Sequence, residues 1–448
     1  MHCECYATTC VLSFPKNSTR QSFERCPATM EWARFRKYAR SMRELDEHGT
    51  LDSSSRKILS VIQLNTIDEP LFPNLKTLYL YWIEEMYIPF IPLFLSPSTT
   101  SITLRFEPNI PEAIIASTIT ILPILCPNLQ AIILSPPSDP LITAAISRML
   151  LTTNRNTLQE LDVDSPLTKE ASEVLYGLPN LRSLSMAIER ETPLPPASLP
   201  NLTELAITCD NEDGWPRLFH GATFGKLEDV KFYPQSGHIG DFLGAFEKTA
   251  LSSSLQNTLS SFLVQTPSSW NPNYSSLLPF TQLVDLEIRF SCDAGCSSTV
   301  DDDIVVSLSQ AMPKLEYLGL GAEPCRQTTD GVTTKGLLAL AHHCPELLNL
   351  RVHLQVASLS DPPVTPGMVP AAGPTASWTN CALTRLEVGK TPVPKGSAMT
   401  ITLTLLRIFP RLDCIIFINE GWWEVANAID RYRKTVGCSG KQRHFTTP

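Results

Sequence analysis

The residue sets in this chain that could do chemistry are few, and each lacks something its chemistry requires. Gly389-Lys-Thr391 has the form of the end of a phosphate-cradling loop. The glycine needed five positions before Gly389 is Thr384, however, so the backbone nest cannot form that way. Cys292 and Cys296, with Cys3, Cys5 and Cys10, offer thiolates suited to zinc, but no Cys-x-x-Cys pair and no spaced histidines accompany them. His342-His343 ends a helical segment, where a partial positive charge complements the backbone dipole. Asp301-Asp302-Asp303 stands before the apolar-periodic stretch from Ile304 and reads as the cap of that helix rather than a cation site. No nucleophile, base and metal set converges, so no catalytic residues, no metal and no cofactor are expected, and the chain is read as not an enzyme.

The elements that hold these residues follow one phrase, apolar-Pro-Asn-Leu-x-x-Leu-x-Leu. It is clearest in Leu178–Met186 and Leu199–Ile207. Taking the first leucine-like position of each copy as its anchor gives Leu75, Thr99, Leu129, Leu158, Leu181, Leu202, Leu227, Leu259, Leu283, Leu315, Leu347, Leu383 and Leu412. The step from Leu181 to Leu202 is 21 residues and that from Leu202 to Leu227 is 25, whereas Leu227 to Leu259 and Leu283 to Leu315 are 32 each. The two shorter steps fall in the roughly 20 to 29 residues of a leucine-rich-repeat solenoid and the 32s imply longer convex segments or loops; each repeat gives one strand and one return segment and cannot bury its apolar face alone. The expected fold is α/β, an irregular curved horseshoe with a parallel sheet on the concave face and helices on the convex face.

Return segments carry helix signals. Ser138–Leu151 has cap-type residues, then a first-turn proline, then apolar positions at helical spacing; Thr334–His343 runs straight into Cys344-Pro-Glu-Leu347. Solenoid ends need covers. Trp32, Phe35, Ala39, Met42 and Leu45 fall on one face of an N-terminal helix, and Trp422, Val425, Ala426, Ile429 and Tyr432 on one face of a C-terminal helix. The organisation expected is a poorly ordered segment at 1–30, a helical cap region at 31–70 and repeats over 71–420 with a flexible loop at 358–378. A capping helix over 421–436 and a disordered tail at 437–448 follow. A second loop is expected over Ser291–Asp303.

Composition narrows the function class. Over 448 residues the net charge is -9, which disfavours capture of nucleic acid or an anionic membrane, and no run approaches the roughly 18 apolar residues of a membrane span. The 37 prolines cluster before repeat leucines and in loops, where they punctuate the repeats. Several of the 13 cysteines occupy the slot before proline, as Cys126 and Cys344 do, and there a thiol serves as a small buried hydrophobe. A disulfide framework would not place cysteines at core positions, so a cytoplasmic or nuclear setting is expected.

In a strand reading Leu-x-x-Leu-x-Leu the leucines point to the core and the intervening residues to the other face. The partner-binding surface expected from this rule is Thr77, Tyr79 and Tyr81; then Glu160, Asp162 and Asp164; then Asp285, Glu287 and Arg289; and last Asn349, Arg351, His353, Arg385 and Glu387. Its partner would be a protein, since aromatic and arginine side chains anchor protein interfaces and an acidic stretch attracts a basic segment.

Three stretches together resemble the F-box and leucine-rich-repeat family of fungi, particularly mushroom-type (basidiomycete) fungi. Gly336–Leu350 is similar to the family's cysteine-containing repeats, Trp32–Leu45 to the helix between its F-box and first repeat, and Ile408–Leu412 with the aromatic helix after it to its C-terminal end. The resemblance covers about residues 30 to 435. It implies a substrate-recognition role in a cullin-type ubiquitin ligase, with a ligase adaptor as partner if an F-box stands upstream. Residues 1–29 are shorter than that module and lack its Leu-Pro phrase, so the alternative is a repeat-only interaction scaffold.

Overall fold

A computed structural model describes residues 2–6, 9–13, 29–47, 59–64, 70–153, 155–188, 198–209, 223–235, 242–252, 255–266, 272–291, 300–323, 331–360, 381–389 and 391–435. The chain divides into two compact units, Met1–Thr208 with Gly221–Lys226, and Cys209–His220 with Leu227–Pro448.

In the first unit, His2–Tyr6 (β1) pairs antiparallel with Thr9–Ser13 (β2), within a segment where no regular structure was expected. The repeats then build a parallel ladder from Glu44–Glu47 (β3), Thr77–Ile83 (β4), Ser101–Phe106 (β5), Ala131–Ser135 (β6), Glu160–Val163 (β7) and Ser183–Ile188 (β8). A two-residue strand, Ser198–Leu199 (β9), stands beside the ladder, which ends at Glu204–Cys209 (β10). Thr223–Phe224 (β11) pairs with β9. The second unit repeats the design with Asp229–Pro234 (β12), Ser261–Thr266 (β13), Asp285–Ser291 (β14), Tyr317–Glu323 (β15), Asn349–Arg351 (β16), Arg385–Gly389 (β17) and Cys414–Phe417 (β18), parallel throughout. Each unit is a leucine-rich-repeat solenoid.

Register explains the core. Leu45, Leu78, Ile102, Ile132, Leu161 and Leu184 face one another across β3 to β8, and all are buried. Val230, Phe262, Leu286, Leu318, Leu350, Leu386 and Ile415 do the same across β12 to β18. All the anchors, Thr99 included, are at most 1% exposed. Thr99 survives there because its hydroxyl lies 3.3 Å from the Ser96 hydroxyl and accepts from the Ser96 N–H.

Within each unit's parallel ladder, successive strands are joined by the same fork. The Lys76 carbonyl accepts from the N–H groups of both Thr100 and Ser101, Thr100 from Gln130 and Ala131, and Gln159 from Arg182 and Ser183. In the second unit Ser260, Val284, Glu316, Leu348 and Thr384 play the accepting part. The Asn of the repeat phrase adds a side-chain tie to the preceding repeat: Asn74 to the Arg40 carbonyl, Asn128 to Pro97, Asn180 to Asn156 and Asn201 to Pro179, at 2.7, 3.1, 2.7 and 2.8 Å.

Where a return helix ends, the residue before proline cannot stay helical, because the proline Cδ crowds that conformation. Cys126, Met312, Cys344 and Phe409 therefore share one backbone geometry, with φ between -117 and -129. The Cys344 thiol sits 3.5 Å from the Met312 carbonyl, and Cys381 in turn 3.6 Å from that of Cys344, so these thiols tie repeat to repeat. Burial pushes the Cys344 thiol up to about 12 and Cys126 up to about 11.

Two expectations need correction. The N-terminal helix spans only Thr29–Ala39; Met42 and Leu45 are buried but not helical, and Leu45 belongs to β3, which begins the ladder inside the region read as a helical cap. Pairing with β4 outweighs the helical spacing of those residues. In the C-terminal helix, Trp422–Thr435, Trp422, Val425, Ala426 and Ile429 are buried but Tyr432 is 45% exposed. Helices form at Pro140–Thr152 and Thr334–His343, capped by Asp139 and Thr333, and Asp301 caps Asp302–Ala311 by accepting from the Ile304 N–H at 2.9 Å. Of the loop at 358–378, residues 358–360 close a short helix, Val356–Ser360, and the rest lies outside the described residues, as do 292–299 and the tail.

Candidate functional site

With the helices packed on one face of each sheet, the residues between the leucines form the opposite, open face. All the residues expected on that face lie on it or just past the strand ends, but they behave differently in the two units.

In the first unit Tyr79 and Tyr81 lie along β4 with their rings stacked, centroids 6.4 Å apart. Arg105 of β5 stands over the Tyr81 ring at 5.3 Å, a cation–π arrangement. Beside them β4 bulges: its register with β5 shifts between Leu80 and Ile83, and Trp82 takes a left-handed backbone, φ 58, leaving its indole 60% exposed. Thr77 begins the same row. Glu160 and Asp162 lie two residues apart on β7, with Asp164 just beyond. Among the described residues these three acids have no ion pair. Burial, then Glu204 and Asp162, raise the Glu160 carboxyl above its ordinary value. Asp162 is raised by burial and Asp164, against the lowering effect of its Ser185 hydrogen bond and of Arg105. Burial and the carboxylates of Glu44, Asp46 and Glu160 also raise the Tyr79 phenol.

In the second unit the charges satisfy one another. Glu287 points to the open face as expected, yet it is 9% exposed, because its Oε1 accepts from the Arg289 Nε and, at 2.6 Å, from the Tyr317 hydroxyl. Arg351 reaches the same oxygen at 3.5 Å and Glu387 at 3.5 Å on its other side. This contradicts an exposed binding role for Glu287: it is the centre of a neutral network of two carboxylates and two guanidiniums. Burial and then Glu287 push the Tyr317 phenol up to about 12. Asp285 and Arg385 are exposed and Asn349 half-buried, while the His353 Nδ1 lies 3.2 Å from the Thr391 hydroxyl.

The sequence reading missed Thr103, Arg105, Glu204, Tyr317 and Gly319 on these faces. The signal was present: counting from Thr99, Leu202 and Leu315 by the same alternation reaches all five.

Thr391 is fully buried with its hydroxyl donating to the Val388 carbonyl at 2.8 Å, so it is not free to hold a phosphate. Cys292 and Cys296 lie outside the described residues. Among the described residues no cluster of His, Cys, Asp and Glu fits a metal ion, and no helix is long and apolar enough to cross a membrane.

No family model matches the chain, and no curated relative matches it. Among solved structures, the chain is similar to the leucine-rich repeat-containing protein LegL7 from Legionella pneumophila, at 11% identity and a TM-score of 0.31 over 89% of this chain and 98% of that one.

Proposed function

We propose that this chain is a protein-binding repeat protein, without enzymatic activity, that holds its partner on the open sheet face. The observation carrying this reading is the aromatic and acidic face of the first unit. There Tyr79, Tyr81 and exposed Trp82 supply the kind of rigid amphipathic area that anchors interfaces, and Glu160, Asp162 and Asp164 have no ion pair among the described residues. The likeness of Gly336–Leu350 to the repeats of fungal F-box proteins supports a finer version, a substrate receptor for a cullin-type ubiquitin ligase in the cytoplasm or nucleus. A repeat scaffold with no ubiquitin role is the alternative.

The test is affinity purification of the full chain from its native cells, with two block variants. Tyr79→Ala/Tyr81→Ala/Asp162→Ala alters the open face; Leu141→Ala/Ile124→Ala alters exposed apolar residues of the return helices. Protein partners lost with the first and kept with the second support the reading, and the reverse pattern refutes it. Co-purification of a cullin adaptor decides for the ligase version; its absence leaves the scaffold.

A further inference from the structure

We propose that the open face of the first unit binds an extended, Arg- or Lys-rich segment of its protein partner, an inference that rests on the protein-binding reading above. The face offers carboxylates at one end, on β7 and β10, and aromatic rings at the other, on β4. Both take cations, the first by charge-assisted hydrogen bonds and the second by cation–π contact. Glu160 and Asp162 on β7 and Asp164 just past its end have no ion pairs among the described residues, and Glu204 on β10 holds only the Ser183 hydroxyl, at 3.1 Å. Glu44 and Asp46 on β3 bring further negative charge beside Tyr79. Arg105 on β5 is the one opposing charge on the two intervening strands, β5 and β6, and it stands over the Tyr81 ring.

A second observation is independent of the acids. Thr103, in register with Tyr79 on one side and Ile133 on the other, is on the open face because Ile102 and Leu104 take the core. It is 2% exposed, and its hydroxyl has no hydrogen-bond partner among the described residues. A buried hydroxyl left unpaired is costly. It lies on the floor between the rings and the acids, and a bound segment that shifts the side chains covering it would bring a guanidinium or backbone N–H to satisfy it.

The second unit's face is the built-in contrast. There Arg289 and Arg351 already neutralise Glu287 and Glu387, so a basic segment would have to break existing pairs. Burial first, and then neighbouring carboxylates, raise Glu160 and Asp162, with Ser185 and Arg105 offsetting only part of the rise at Asp162. From β4 to β10 the ladder takes five steps, by way of β5, β6, β7 and β8. At about 4.8 Å each that is roughly 24 Å, the length of about seven extended residues.

The experiment measures fluorescence anisotropy of the full chain with two labelled synthetic peptides of about ten residues, one alternating Arg-Ser and one alternating Glu-Ser. Wild-type protein is expected to bind the first, with affinity falling as salt rises, and not the second. Glu160→Gln/Asp162→Asn/Asp164→Asn should weaken binding about tenfold or more and flatten the salt dependence. Glu112→Gln/Glu173→Gln/Glu424→Gln removes the same formal charge from exposed helix positions and should change affinity less than about twofold. The isosteric Asp162→Asn alone should weaken binding about threefold, which keeps the test alive if the triple variant misfolds. Unchanged binding in the face variants, an equal loss in the helix control, or no binding of the basic peptide overturns the proposal. If native partners are still lost from the open-face block variant while the basic peptide fails to bind, the protein-binding reading stands and the basic class falls. If that block variant keeps its partners, both fall.

Discussion

Arg351 lies 3.5 Å from the Glu287 carboxylate although a whole strand separates them, because the residue between them in the register is Gly319. A side chain at that position would fill the space the two groups use to meet. A Cβ on Gly319 would come within 3.1 Å of the Tyr317 ring and 3.2 Å of the Glu287 Cγ.

Gly319→Ala is therefore expected to destabilise the protein by about 1–2 kcal/mol through crowding. Gly321→Ala, two residues on, meets open space but sits at φ 114, where an L side chain is strained, and should cost about 1–3 kcal/mol for a different reason. Urea unfolding measures both. Recovery of Gly319→Ala by a second change, Tyr317→Ser, with no such recovery of Gly321→Ala, would separate crowding from backbone strain.

Glu287→Gln leaves two guanidiniums facing a neutral amide and should destabilise by about 2–3 kcal/mol. Replacing exposed Asp285 by Asn removes a carboxyl raised by burial and by Glu316, Asp229 and Glu287, so it should be neutral or stabilising at neutral pH. Equal losses from the two changes in urea titrations would refute the network as the organising feature of this face.

Glu160 and Asp162 give a stability that rises as pH falls. Their folded values lie above the ordinary 4.5 and 3.8, so the folded state binds protons more readily than the unfolded chain. Ionisation above the raised values works against folding, and that penalty disappears as pH drops through them towards the ordinary ones. The double variant Glu160→Gln/Asp162→Asn should melt above wild type at neutral pH and level with it in acid. A difference constant with pH, followed by thermal melting, would argue against charge as the cause.

Asn180→Ala and Asn201→Ala each remove a tie to the preceding repeat and should lower stability by about 1 kcal/mol, since both bonds are exposed. Asn201 also accepts from Lys226 at 3.1 Å, so its change should be the larger. Hydrogen exchange at Thr203 and Glu204, whose N–H groups donate to the Arg182 carbonyl, reports whether the neighbouring fork loosens with it.

Trp422 covers the last repeat with its ring fully buried and its indole N–H donating to the Thr391 carbonyl at 2.8 Å. Trp422→Ala should cost about 3–5 kcal/mol, and Trp422→Phe roughly 1–2 kcal/mol for the orphaned carbonyl. If Trp422→Ala unfolds no earlier than wild type in a chemical titration, the helix is not a structural cover.

Much of this was readable in the residues. The leucine spacing located every anchor, including the polar Thr99, because a residue inside the stack has no alternative to burial. The alternation rule placed the open-face residues in register. Exposure on that face was not readable, because it depends on what the neighbouring strand carries: Glu287 is covered only because Tyr317 and Arg351 reach it across Gly319. Nor did helical periodicity reveal that Leu45 pairs in β3. Spacing alone fits both a helix stripe and a strand here, and only the partner β4 decides between them.

The forked carbonyls at the start of each strand have a further consequence. Because the accepting group is backbone, the alignment of one repeat on the next demands no particular side chain there. The distance to the next anchor can stretch from 21 residues (Leu181 to Leu202) to 36 (Leu347 to Leu383) without turning a strand over. Loops can thus grow and open-face residues can be exchanged one at a time, each change paid for locally, without rebuilding the framework.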